Sequence, residues 1–210
     1  MKTRITAVLA LTFLLGACAV GNKYDYASQV PNLEVTTEDR VAVGVVDQRP
    51  YVVSGRNTPE WVGLQRSGVG IPYGVHTLSD KPLAHDMTDS IAGALKAKGV
   101  QAEAVYLQPN ATRQPGIDAL VATGAGKSVL ISFLQWKSDT YTNVALIYDA
   151  SAEVFDDKGQ SLAKNAVSGK DDLGGDFINP PGHAEKAVPE ETRKIIETLL
   201  NDPEIVQALQ

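Results

Sequence analysis

The sequence predicts a single domain of the α/β (α+β) class, a mixed sheet of about five strands in the element order β-α-β-α-β-β-β-α. Three observations predict it. Val41-Ala42-Val43-Gly44-Val45-Val46 is a continuous apolar run, the pattern of a strand covered on both faces. Leu83, Met87, Ile91 and Leu95 recur every four residues and draw one apolar stripe along a helix. Ser128 to Trp136, Val144 to Phe155 and Ser161 to Val167 then read as three strands, the last two joined by Asp156-Asp157-Lys158-Gly159, a tight turn with glycine at the left-handed position.

Each element has a local reason. Residues 19–39 are polar and aperiodic and read as a tether, with Tyr24, Tyr26 and Val35 available to dock part of it. The first strand stops at Asp47-Gln48-Arg49-Pro50. Residues 51–79 are rich in glycine and aromatic side chains and too long for a default connector, so they form a functional loop or carry a short hairpin. Asp80 can cap the striped helix, with Pro82 in its first turn and Gly99 as its stop. Val100 to Leu107 alternates as a second strand, and a shorter helix over 115–123 buries Ile117, Leu120 and Val121. Polar residues 137–143 join the next two strands, and residues 169–182 read as a Gly/Pro-rich loop. Val188 to Leu200 is amphipathic, and Asp202-Pro203 opens a last short helix as N-cap and N1. Each early helix serves as a crossover between parallel strands, and the later strands run antiparallel.

The N-terminus carries a targeting signal. Lys2 and Arg4 form a positive region and Ile5 to Leu15 an apolar one. That stretch is too short for the ~20 residues of a membrane span. It closes in Leu15-Gly16-Ala17-Cys18, the pattern of a lipobox, in which cleavage before the cysteine frees it for lipid attachment. Cys18 is the only cysteine, so no internal disulfide is available, and a diacylglyceryl thioether removes a thiol that would be a liability in an oxidising compartment. The expected organisation is a cleaved signal peptide over 1–17, a lipidated tether over 18–39 and one domain over 40–210. Ala19, not aspartate, follows the cysteine, which points to the periplasmic face of the outer membrane.

Charge narrows the function classes. The net charge of −6 becomes −8 once Lys2 and Arg4 leave with the leader. An acidic chain argues against nucleic-acid binding and against electrostatic adhesion to anionic lipid. The covalent lipid on Cys18 is then the membrane contact.

Candidate chemistry is sparse. Gly124-Ala125-Gly126-Lys127-Ser128 imitates the end of a phosphate-binding loop, but Val121 stands where the first glycine belongs. A helix also precedes the run and a strand follows it, the reverse of that motif's context. No nucleotide is expected. His76, His85 and His183 lack ligand spacing, so no metal and no other cofactor is expected. No nucleophile elbow is present, and the acidic pairs at 156/157, 171/172 and 190/191 have ordinary turn, loop and helix-start explanations. Asp47 and Arg49 are the best polar pair; an ion pair organising the next loop is favoured over a ligand site at the strand end. Trp61 and Tyr73 either offer a partner contact or fold back to cover the sheet edge.

Several short motifs carry a resemblance. The lipobox, Val46-Asp47-Gln48-Arg49, Lys81-Pro82-Leu83-Ala84, Ala97-Lys98-Gly99 and Asn201-Asp202-Pro203-Glu204 together resemble the YajG-like envelope lipoproteins. The topology is similar to small α/β modules of the TolB N-terminal type. The resemblance implies an outer-membrane lipoprotein and no defined activity. The expected function is a non-enzymatic, lipid-anchored interaction module for an envelope protein partner, with a homodimer also open. The alternative is a small-ligand carrier or sensor with a pocket near Asp47, Arg49 and the 169–182 loop.

Overall fold

The computed structural model describes residues 21–210, so the leader and Cys18 lie outside the described residues. The elements are β1 (Lys23–Tyr24), β2 (Arg40–Asp47), α1 (Pro50–Val53), β3 (Trp61–Arg66), β4 (Pro72–Thr77), α2 (Leu83–Ala97), β5 (Gln101–Ala104), α3 (Arg113–Val121), β6 (Lys127–Thr140), β7 (Asn143–Asp156), β8 (Ser161–Gly175), α4 (Pro180–Leu200) and α5 (Pro203–Leu209). The class is the expected one. The sheet has eight strands, not five.

The apolar run of β2 lies at the centre and is covered twice. Val41, Val43 and Val45 join the main core with Leu83, Met87, Ile91 and Leu95 of α2. Ala42 and Val46 face the other way, into a smaller cluster with Ile117 and Leu120 of α3 and with Phe155. β2 pairs in parallel with β5 on one side and β6 on the other. From β6 onward the sheet turns antiparallel, through β7 to β8. Gly159 sits at φ +76° in the β7–β8 turn, and the Asp156 carboxylate accepts from the N–H groups of Lys158 and Gln160.

β6 is the long spine, and one of its edges is shared. Lys127 to Phe133 pair with β2, whereas Ser138 to Thr140 pair with Gly63 to Gln65 of β3. The sheet therefore forks, with one branch carrying β2 and β5 and the other β3, β4 and β1. At the fork a register shift between Phe133 and Gln135 bends β6 against β7, as an inserted residue does.

Four expectations need correction. Residues 21–39 are part of the fold and not a tether: β1 pairs with β4, and Tyr24, Tyr26, Leu33 and Val35 are fully buried. Long-range bonds strap the segment down, with Asn32 N–H donating to Glu197 and Glu34 N–H to Asn201. The 51–79 stretch is not among them: it carries the short hairpin that is one of its two readings, β3–β4, together with α1. The 137–143 connector shrinks to a turn at Tyr141-Thr142, and the 169–182 loop shrinks because β8 runs to Gly175 and α4 starts at Pro180. Asp80 does not cap α2; it lies at φ +58° and pairs with the Lys23 ammonium at 2.6 Å, and Pro82 holds the cap position. Asp202 does cap α5, accepting from Glu204 N–H at 2.9 Å.

An ion pair closes the smaller cluster. Arg113 donates through Nε and Nη2 to the two oxygens of Glu153, at 2.9 and 2.6 Å, with its guanidinium over Phe155. Burial works to raise the Glu153 carboxyl, but Arg113, helped by Ser161 and Lys164, outweighs it and holds the group below the ordinary glutamate range. A carboxyl lowered by folding contributes stability at neutral pH that is lost as pH falls through its folded value. Arg113 is half exposed, so solvent screens the pair and Glu153→Gln is expected to cost about 0.5–1 kcal/mol near neutrality. Denaturant titrations between about pH 6 and about pH 3 should show that difference shrinking with acidity. A gap that is constant across the range would contradict the assignment.

Candidate functional site

The strongest polar constellation lies at the fork. β2 ends at Asp47, and the ladder to β6 continues one step further through Gln48 N–H to Phe133 O at 2.9 Å. Arg49 then turns inward and is completely buried. Its Nε and Nη2 meet the two oxygens of Asp47 at 2.8 and 2.6 Å, a bidentate pair. Nη2 also donates to Pro59 O at 2.9 Å, and Nη1 donates to Trp61 O at 2.8 Å and Trp136 O at 3.2 Å. A guanidinium has five N–H donors, and all five are used.

Those acceptors explain the position. Trp136 lies in the part of β6 between its pairing with β2 and its pairing with β3, so its backbone groups lack a strand partner on that edge. Tyr51, delivered by α1, completes the repair: its hydroxyl donates to Trp136 O at 3.1 Å and accepts from Trp136 N–H at 3.2 Å. The guanidinium lies 5.6 Å from the Tyr51 ring centroid. Burial opposes the arginine's charge, and the Asp47 carboxylate more than offsets it, raising the guanidinium pKa. With no free donor and no exposed surface, Arg49 has nothing to offer a ligand. The pocket expected near Asp47 and Arg49 is filled by the protein itself.

Trp61 is only 9 % exposed and packs edge-on against Tyr51, with ring centroids 5.1 Å apart. It is a wall of the fork and not a contact surface, which corrects its candidacy as a partner contact. Tyr73, half-buried on β4 opposite Gln65, keeps some exposure, so the two aromatics do not make one patch. Among the described residues no group of three or more potential metal-ligating side chains converges. His85 and His183 lie against the carbonyls of Leu107 and Leu173.

Composition does not flag the surface feature that stands out. Three loop tips meet at one end of the sheet: the β3–β4 tip, the β6–β7 turn and the β8–α4 connection. They enclose a groove of about 340 Å³ lined by Arg66, Gly68, Tyr141, Phe177 and Pro181, among others. The Tyr141 hydroxyl donates to Gly68 O at 3.2 Å, and Arg66 forks onto Asp139, so the tips are tied to one another. Asp176 accepts from the N–H groups of Ile178 and Asn179, which holds its carboxyl below the ordinary range and fixes Phe177-Ile178 as a projecting knuckle. Only the solvent exposure of apolar side chains reveals this end, and alternation patterns do not encode it. A separate concavity of about 360 Å³ lies on the sheet beside Asp139, Ala145, Ile147, Lys170 and Asp172.

No protein-family model and no curated protein matches the chain. Among solved structures it is similar to protein XCC0632 from Xanthomonas campestris, described under DUF330, at 14 % identity over 87 % of this chain and 93 % of that one, with a TM-score of 0.45. It is similar to PelC from Paraburkholderia phytofirmans, described as a dodecamer, at 14 % identity over 87 % and 94 %, with a TM-score of 0.45. It is also similar to lipoprotein GNA1162 from Neisseria meningitidis, at 13 % identity over 78 % and 98 %, with a TM-score of 0.30.

Removing the Arg49 guanidinium strands a buried Asp47 carboxylate and leaves the carbonyls of Pro59, Trp61 and Trp136 short of donors. Arg49→Met, which keeps the stem, is expected to cost about 3–5 kcal/mol, the range for breaking one side of a buried pair. Urea unfolding of the variant against the wild type measures it. A loss below about 1 kcal/mol would mean that water enters and substitutes for the side chain.

Proposed function

We propose that this protein is a non-enzymatic lipoprotein of the bacterial envelope, moored through acylated Cys18 to the periplasmic face of the outer membrane and acting there as an interaction module. One observation carries the reading: the apolar leader closes in Leu15-Gly16-Ala17-Cys18, a lipobox pattern whose cysteine is the only one in the chain. The apolar leader, the small residues before the only cysteine, and the resemblance of several short motifs to YajG-like lipoproteins support it. No helix among the described residues is long and apolar enough to cross a membrane.

The geometry changes what such a module can do. A tether over 18–39 would let the domain range on the order of 70 Å from the membrane if fully extended. With Gly21 already seated against β4, three residue steps reach at most about 11 Å. The domain therefore works at the membrane surface. A partner could use the concavity beside Ile147 and Lys170, or the outer edge of β8, which pairs only with β7 in the sheet. An open strand edge is a ready template for another chain, a second copy included. The ligand-carrier alternative loses Asp47 and Arg49 as ligand contacts, because the fork consumes them.

Intact-mass analysis of protein extracted from its native host tests the anchor. The expected result is a chain beginning at residue 18 that carries a diacylglyceryl group. A retained leader or a free thiol at Cys18 would overturn the assignment.

A further inference from the structure

Gly21 and the three apolar tips lie at the same end of the molecule. β1 runs parallel to β4 with Lys23 opposite His76 and Tyr24 opposite Thr77. Moving back along the chain from Lys23 therefore moves back along β4 toward Pro72 and the β3–β4 tip. The contacts agree: a side chain at Gly21 would overlap the Gly74 carbonyl, and the Asn22 amide donates to Pro181 O at 2.7 Å, beside the tip groove. Traced back from Tyr24 to Gly21, the chain thus runs toward this end.

Exposed apolar side chains concentrate there. Of the eleven large apolar residues most exposed among those described, five are Val69, Ile71, Tyr141, Phe177 and Ile178. The three most exposed of all are among them, Ile178 at 97 %, Phe177 at 89 % and Val69 at 84 %. They sit on tips braced by the Tyr141–Gly68 and Asp176 bonds, so presenting them costs little additional ordering. Arg66, the basic group between the tips, is already paired with Asp139, and Lys170 lies beside Asp172, with Asp176 adding a further carboxylate, so this end carries no excess of positive charge to attract anionic headgroups.

We propose that this end is a membrane-contacting surface: Val69, Ile71, Phe177 and Ile178 enter the headgroup–acyl boundary of the phospholipid layer that holds the Cys18 lipid, with Tyr141 at headgroup level. The proposal rests on the acylation of Cys18 and adds a fixed orientation to it. An apolar surface presented at a bilayer buries about 5–10 Å deep without needing anionic lipid. The domain then stands on its tips, with the β7–β8 turn and Leu162 at the far end, away from the membrane.

Cys18 being the only native cysteine, the acylated chain accepts a single new thiol for labelling. Val69→Cys, Ile178→Cys and, as a far-end control, Leu162→Cys would each carry an environment-sensitive fluorophore, in acylated protein reconstituted into phosphatidylethanolamine/phosphatidylcholine vesicles. Lipids brominated in the upper acyl chain should quench the Val69 and Ile178 labels about two-fold or more relative to the Leu162 label. The quenching should persist without anionic lipid and fall when Phe177 is also changed to Ser. Vesicle-bound protein whose tip labels quench no more than the control would overturn the orientation while leaving the anchor intact. A blue shift at the tips without bromolipid quenching would assign them to a protein contact and overturn it as well. Protein that lacks the lipid by mass and fails to float with vesicles would remove the anchor reading and this proposal together.

Discussion

A buried arginine holds two halves of the sheet together. β6 offers one edge to two branches, and neither branch covers the stretch around Trp136. Without a substitute, backbone groups there would be buried with no partner, which carries the full desolvation penalty of each group. Arg49 and Tyr51 are that substitute. The β3 branch joins β6 through only three paired residues, so the bonds from one guanidinium to Pro59, Trp61 and Trp136 form a large share of the junction. Lysine has the charge but not the planar five-donor fork that serves the carboxylate and three carbonyls at once.

The branch fixed by this junction is the one that carries β1. A pull applied at the N-terminal end of the described chain would reach the body of the domain through β1, β4 and β3, and then across the fork. The strap over residues 21–35 shares the load, since Tyr24, Tyr26, Leu33 and Val35 are packed into the main core and Asn32 and Glu34 are bonded to the end of α4. The fold thus has the end that carries Gly21 built from short strands and tips, and its opposite end from the central β2–β6–β7 pairing. That division places the most exposed apolar side chains beside the chain's exit.

Much of the central fold is legible in the sequence because its signals are local. The valine run of β2, the four-residue stripe of α2, the glycine stop at Gly99 and the Asp202-Pro203 start each state a conformation by themselves. What escaped depends on distant partners. The segment from Gly21 to Val35 reads as tether because its apolar residues are sparse, and its bonds reach to Glu197 and Asn201. β8 reads as ending at Val167 because residues 168–175 are nearly all polar or glycine and are held mainly by β7. Asp80 has a capping residue's chemistry, but its carboxylate is drawn to Lys23. Asp47 and Arg49 are conspicuous in the sequence; only the fork shows why an arginine is needed there, and only exposure on folded tips picks out Phe177 and Ile178.

Residue-resolved hydrogen exchange on Arg49→Lys compared with wild type tests the junction most directly. If the guanidinium joins the branches, amides of β3, β4 and β1 will lose protection together by a sub-global opening, while those of Val129, Ile131 and the β6–β7 ladder keep theirs. Unchanged protection in the hairpin branch, or an equal loss across both branches, would contradict the role assigned to Arg49.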